Sequence, residues 1–405
     1  MSGIKTKGRK RLVVISGRSH PELAQKVVEE LETTLLPVDV RTFASGEIYT
    51  RMEESVRGAD AFVIQSYSGP VNEWLIEQLI MIDTLKRASA KRITAVVPYY
   101  PYSRQDKKSR GRDPISARLV ADLFKTAGAE RIISVDLHAA QIQGFFDGPL
   151  DQLFAMPVLV EHIQATVDKT NLVVVSPDMG RVRVADVWSD QLDVPLAIIH
   201  KRRDPAVPNE VTVHEIVGDV RGKMCLLVDD MIDTGGTIVK GAEALKANGA
   251  TGVIVAATHA IFSDPAVERL SSGAIDRVIV TDTLPLPPEK VFDCLEVLSM
   301  APTIAQAIHE VFEDGSVTKM FTGAGLGGPG PRRRQSAGRV GPAGTVRRWA
   351  GPRGPRRSPG APGVAFADAA ACSHPGRSSP PRPAADLEPG PRRLLARGGA
   401  KTRVP

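Results

Sequence analysis

The chain has 405 residues, 42% hydrophobic and 24% charged, with a formal net charge of +6; this is an ordinary globular balance, long enough for two domains and a remainder. No stretch reaches the ~18 uncharged apolar residues of a membrane span, and the basic start MSGIKTKGRKR lacks the apolar run of a secretory signal. The charge is uneven: residues 323–405 carry 16 Lys and Arg against 3 Asp and Glu, and residues 1–322 carry 36 against 43, so a nucleic-acid-binding body is not expected.

In chain order, apolar runs at Arg11–Ser16, Ala61–Gln65, Ile93–Pro98 and Arg131–Asp136 read as strands. Between them, Pro21–Leu31, Asn72–Arg87 and Ser116–Ala127 space apolar residues three and four apart, as helices do. The same style returns with strands at Leu172–Ser176, Leu196–His200, Met224–Asp229, Val253–Thr258 and Arg277–Thr281, and helices at Arg181–Leu192 and Ile238–Asn248. Strands apolar on both faces and alternating with helices imply parallel sheets covered on either side. An internal echo suggests duplication: GAERIISVDLHA (Gly128–Ala139) aligns to GATGVIVAATHA (Gly249–Ala260) at a constant offset of 121.

A helical pattern at Thr303–Phe312 closes the body, and composition breaks near Thr322. The expected division is an N-terminal α/β domain over residues 1–156, a second over 157–302, a closing helix over 303–322 and a tail over 323–405. That tail holds 16 Gly and 14 Pro in 83 residues, too little apolar surface to offset its ordering entropy, so disorder is expected. It reads as a dispensable extension, with an RNA- or polyanion-binding arm as the alternative. The three cysteines, Cys225, Cys294 and Cys372, have no metal-ligand spacing, which fits a reducing, cytoplasmic setting.

The segment VDDMIDTGGT (Val228–Thr237) carries the most chemistry. An apolar strand delivers Asp229 and Asp230, a turn of small residues follows, and a helix begins near Thr237. Ligands of doubly wound sheets sit at the carboxyl ends of strands, and N–H groups over Thr234–Thr237 would meet a phosphate there. The two acids could accept hydrogen bonds from vicinal hydroxyls. The plainer alternative is a capped turn, with Asp233 as N-cap and the glycines permitting the bend.

This segment is the fingerprint of type I phosphoribosyltransferase-fold proteins. With YSRQDKKSRGRDPISARL, DLHAAQIQGFFDGP, VVVSPDMGRVRVAD and IIHKRR in order, the body from about Leu12 to Phe321 closely resembles ribose-phosphate diphosphokinases (phosphoribosyl-pyrophosphate synthetases). The resemblance implies two doubly wound parallel-sheet domains of that fold. It also implies Mg²⁺-dependent transfer of the β,γ-diphosphate of ATP to ribose 5-phosphate, with release of AMP.

By the same resemblance, Arg104 and Gln105 contact ATP, as does the stretch Phe43, Ser45, Gly46 and Glu47, which reaches a neighbouring subunit's site in a homo-oligomer, commonly a hexamer. His138 and Asp178 match metal-associated positions, and Lys201 and Arg203 match a mobile catalytic loop. Ribose 5-phosphate falls to Arg203, Asp229, Asp230, Asp233, Thr234, Gly235, Gly236 and Thr237. His259 reads as structural. The chain departs from the pattern at Ser45, where relatives usually carry Asp or Asn, and at Arg181, where many carry Gly. The first half has no second fingerprint after Ile93–Pro98, and the loop Tyr99–Asp113 reads as its ATP-binding replacement. The competing functions are a non-catalytic regulatory paralogue and a nucleobase phosphoribosyltransferase.

Overall fold

The computed structural model describes residues 10–201 and 214–321. The tail and its expected disorder, and Arg203 with its loop, lie outside the described residues, as does Cys372.

The first half runs β1 (Leu12–Ser16), α1 (Pro21–Glu30), β2 (Val38–Thr42), β3 (Ile48–Met52), β4 (Asp60–Ile64), α2 (Val71–Arg87), β5 (Arg92–Val97), α3 (Ser116–Ala127), β6 (Arg131–Val135) and β7 (Leu150–Leu153). Five parallel strands form one sheet in the order β1-β4-β5-β6-β7, while β2 and β3 pair off as an antiparallel hairpin. Helix α4 (Met156–Thr166) leads to β8 (Leu172–Ser176), α5 (Val182–Leu192), β9 (Leu196–Lys201), β10 (His214–Val217), β11 (Met224–Ile232) and α6 (Gly236–Ala247). Then come β12 (Gly252–Ala260), α7 (Ala266–Leu270), β13 (Arg277–Thr281), β14 (Leu295–Leu298) and α8 (Ala301–Phe312). This second sheet runs β10-β9-β8-β11-β12-β13-β14, with β10 antiparallel to β9 and the remaining neighbours parallel. The expected pair of doubly wound α/β halves is present.

Strands β4, β8 and β12 are buried along their whole length, as parallel strands covered on both faces must be. Helix α3 buries Ala117, Val120, Ala121 and Phe124, the stripe its spacing predicts, and ends at Gly128 with φ of 125°. One core cluster joins Val14, Phe62 and Val96 of the first sheet to Val174, Leu226 and Ile254 of the second, and takes in Ile304 and Ile308 of α8. The halves therefore share a core, and α8 seals it against α1. Among the described residues no helix is long and apolar enough to cross a membrane.

Strand order corrects the register of the internal echo. Along the sheets, β1, β4, β5, β6 and β7 correspond to β8, β11, β12, β13 and β14, each series interrupted after its first helix by an antiparallel pair. The 121-residue offset instead aligns β6 with β12, so the echo is not the register of the duplication. The counterpart of the fingerprint turn is then the segment after β4, residues 65–70, and the loop Tyr99–Asp113 corresponds to the turn after β12. In the first half that place is filled. Gln65 accepts from Ser19 Oγ at 2.6 Å and donates to the fully buried Glu77 at 3.1 Å, which also holds the Arg18 side chain at 2.7 Å. A Cβ on Gly17 would run into Gln65.

Candidate active site

The described candidates other than the hairpin residues 43–47 gather beyond the carboxyl ends of parallel strands, where the fold leaves a crevice: Arg104 beyond β5, His138 beyond β6, Asp178 beyond β8, Lys201 ending β9, and Asp229 to Thr234 at the end of β11. The sequence placed the end of β11 at Asp229, and pairing with β12 carries it to Ile232.

The fingerprint turn closes on Gly235, the residue before α6, in the left-handed region with φ of 70°. Only a residue without Cβ adopts that conformation cheaply, which is why a glycine stands there. No side chain caps this helix end, so Asp233 is not the N-cap of the plainer reading. The first N–H groups of α6 thus meet no side-chain acceptor and can donate to an anion. Arg269 of α7, which no sequence signal marks, donates to the Thr234 carbonyl at 3.0 Å and stands 3.2 Å from where a Gly236 Cβ would lie.

Asp229 and Asp230 form a half-buried pair with two unexpected partners. His138 Nδ1 stands 2.7 Å from Asp230 Oδ2, and Arg181 Nη2 stands 2.5 Å from Asp230 Oδ1. Arg181 Nε lies 3.4 Å from Asp229 Oδ1, which also accepts from the Asp230 N–H at 2.9 Å. A carboxylate can only accept, so His138 donates through Nδ1–H to Asp230, and Nε2 is the ring nitrogen left for another partner. The 2.9 Å approach of Arg181 Nη2 to Nδ1 is then a side-by-side contact on one carboxylate. Burial and the neighbouring charge push Asp229 well above the usual carboxylate range. Burial acts on Asp230 in the same sense, but the His138 hydrogen bond and the Arg181 charge hold it below that range. Two adjacent acids in one site divide in this way because both cannot ionise cheaply.

The two halves meet a second time where Arg104 Nη1 contacts Asp233 Oδ2 at 2.6 Å, with the Arg104 side chain half exposed. Burial raises Asp233, but a Ser263 hydrogen bond and Arg104 outweigh it and leave it lowered. Gln105 accepts from Ser116 Oγ at 2.6 Å and stays with its own loop. Asp178 does likewise: its Oδ1 accepts from the N–H groups of Gly180, at 2.8 Å, and Arg181, at 3.2 Å. The tip of the β2–β3 hairpin holds Phe43, Ser45, Gly46 and Glu47; Phe43 is exposed and Ser45 Oγ bonds Glu47 at 2.8 Å. Its described hydrogen bonds remain within the hairpin. Lys201 is described through its backbone, paired with His214.

Behind the site, Asp136 is half-buried, accepts from Thr258 Oγ1 at 2.6 Å and Ala155 N–H at 3.1 Å, and is pushed up to about 6 by desolvation. His259 Nε2 donates to the Asp136 carbonyl at 3.1 Å, Nδ1 meets Thr283 Oγ1 at 2.9 Å, and Tyr99 packs edge-on at 4.9 Å. Burial lowers His259 to about 4. It is a neutral strut between the halves, as the sequence reading held.

Among the described residues no three His, Cys, Asp or Glu side chains group closely enough to hold a metal ion by themselves. Mg²⁺ usually takes one or two carboxylates and completes its shell with phosphate oxygens and water. Asp178 supplies a hard oxygen donor, and a ligating histidine needs its other ring nitrogen held by an acceptor, which Asp230 provides for His138. The donor set fits an ion that arrives with a nucleotide.

Residues 12–128 match the family model of the N-terminal domain of ribose phosphate pyrophosphokinase, and residues 203–322 match the phosphoribosyl synthetase-associated domain. The ribose-phosphate pyrophosphokinase of Streptomyces avermitilis is 62% identical over 321 residues, 79% of this chain and 99% of that one. That of Mycobacterium tuberculosis (strain H37Rv) is 59% identical over 319 residues, 78% and 98% of the two chains. The crystal structure of phosphoribosylpyrophosphate synthetase from Mycobacterium smegmatis superposes with a TM-score of 0.72 at 57% identity, covering 76% of this chain and all of that one.

Proposed function

The chain belongs to the ribose-phosphate pyrophosphokinase family, and from that premise we propose how its residues carry the β,γ-diphosphate of ATP to ribose 5-phosphate, giving 5-phosphoribosyl 1-diphosphate and AMP. The observation that carries the assignment of roles is the double junction of the two halves, Arg104 with Asp233 and His138 with Asp230. It sets the candidate nucleotide loop beside the candidate sugar-phosphate loop.

The N–H groups at Gly235, Gly236 and Thr237 bind the 5-phosphate, which the uncapped α6 terminus supports. Asp229 and Asp230 receive the sugar hydroxyls, with Asp233 and Thr234 lining the turn. Arg104 and Gln105 bind ATP, the guanidinium offering a planar fork to phosphate. His138 and Asp178 would hold Mg²⁺, which when bound neutralises charge on phosphate oxygens. The anomeric oxygen bonds to the β-phosphorus as that phosphorus parts from the bridging oxygen, which leaves with its electron pair on AMP, and the hydroxyl proton passes to solvent. Lys201, at the end of β9, and Arg203 stabilise the charge that develops on the transferring group; Arg203 also contacts the sugar phosphate.

The exposed hairpin tip Phe43–Glu47 serves the adenine of a neighbouring subunit in a homo-oligomer, a hexamer by family likeness, working in the cytoplasm. The test is AMP formation from ATP with Mg²⁺ and phosphate, on the full chain and on residues 1–322. AMP that requires ribose 5-phosphate supports the reading; none from either protein sinks it.

A further inference from the structure

Arg181 has a place in the site that its position as a departure from relatives does not explain. Its backbone N–H is fixed to Asp178 Oδ1 at the foot of α5, and its side chain crosses to the end of β11. There Nη2 takes Asp230 Oδ1 at 2.5 Å and Nε faces Asp229 Oδ1 at 3.4 Å, with all three side chains at most 18% exposed. Each Asp230 oxygen then already accepts one charge-bearing or ring N–H donor, the other being His138. A sugar hydroxyl that donates to this pair competes with the guanidinium for the same oxygens. The backbone of Arg181 follows directly on Asp178–Gly180, held to the candidate metal-associated Asp178 by its N–H.

We propose that Arg181 is a positioning residue for the transferring diphosphate, stored on Asp229 and Asp230 and released to phosphate oxygens when the sugar hydroxyls take those carboxylates. This rests on the diphosphokinase reading above. A stored counterion keeps two adjacent half-buried acids from facing each other without a cation in the ligand-free chain. Released, it stays tethered beside Asp178 by its own backbone, and guanidinium binds phosphate through paired N–H donors. No covalent bond changes in the exchange.

The exchange makes opposite demands on the two substrates, and that separates it from a structural role. Arg181→Gln keeps length and removes charge. Calorimetric titration with ribose 5-phosphate and Mg²⁺, without ATP, should show affinity unchanged or tighter, because the carboxylates no longer need to be vacated. In steady state KM for ATP should rise by roughly tenfold or more, the loss expected for a charge-assisted hydrogen bond. Arg181→Lys, which keeps charge but not the fork, should fall between the two and serves if the Gln variant does not fold. Weaker ribose 5-phosphate binding, or an unchanged KM for ATP, overturns the proposal. Absence of turnover in the unsubstituted chain instead overturns the functional reading on which it rests.

Discussion

His138 Nδ1 stands 2.7 Å from Asp230 Oδ2, across 92 residues of sequence and across the two sheets. A ring nitrogen held this way fixes which nitrogen faces outward, so the first half's histidine works in an orientation set by the second half's acid. His138→Ala and Asp230→Ala should each lower turnover, and the double variant should lose far less than the product of the two. Supporting partners of this kind are worth roughly 10–100-fold, and coupling is read from a double-mutant cycle. Additive losses would mean that the two residues act separately.

Arg104 and Asp233 are paired but open to solvent, so the pair contributes at most about 1 kcal/mol to stability. Arg104→Ala should leave the thermal midpoint nearly unmoved while raising KM for ATP. A large drop in midpoint with ATP binding intact would assign the residue to scaffold instead.

Gly235→Ala places a Cβ on a residue with φ of 70° and 3.4 Å from Leu270. The left-handed conformation costs a non-glycine residue roughly 1–2 kcal/mol, and relief would twist the N–H groups away from the phosphate. KM for ribose 5-phosphate should rise with KM for ATP little changed. Equal effects on both substrates would contradict the assignment of this turn to the sugar phosphate.

How much of this was legible follows from the period and length of each segment. Helices α2 and α3 bury one stripe, and β4, β8 and β12 are continuously apolar; both patterns survive in sequence. Strands β2 and β3 are half exposed, β7 and β14 are four-residue edge strands, and α4 is apolar on most sides, so none shows a clear period. The fingerprint named the sugar-phosphate turn because its chemistry is contiguous. Arg181 could be flagged as a departure, but its partners Asp229, Asp230 and His138 come together only when the sheets pack. Arg269 lies on a five-residue helix 35 positions from Thr234, and nothing local marks it.

Lys201→Ala should lower turnover by roughly 10²–10³, the loss from removing one donor to transition-state charge, with folding nearly intact because the residue is the last of β9. Single-turnover rates of AMP formation measure it, and an unchanged rate removes Lys201 from the mechanism.

Asp136 and His259 should oppose each other in the pH dependence of stability. Asp136 sits near 6 when folded and near 3.8 when unfolded, so the stability present below pH 3.8 is lost as pH rises to about 6. His259 sits near 4 when folded and near 6.5 when unfolded, so its stability is present above pH 6.5 and is lost as pH falls towards 4. At 1.36 kcal/mol per unit each ramp amounts to about 3 kcal/mol, and between pH 4 and 6 they run in opposite directions. Asp136→Asn keeps an oxygen for Thr258 and Ala155 but removes the first ramp. Relative to the unsubstituted chain it should gain stability at pH 7 and lose that advantage towards pH 4. His259→Gln should show the reverse, losing stability as pH climbs from 4 to 6. Urea midpoints of the ligand-free proteins across pH 4–7 test both, and parallel profiles for all three would show that neither group titrates differently on folding.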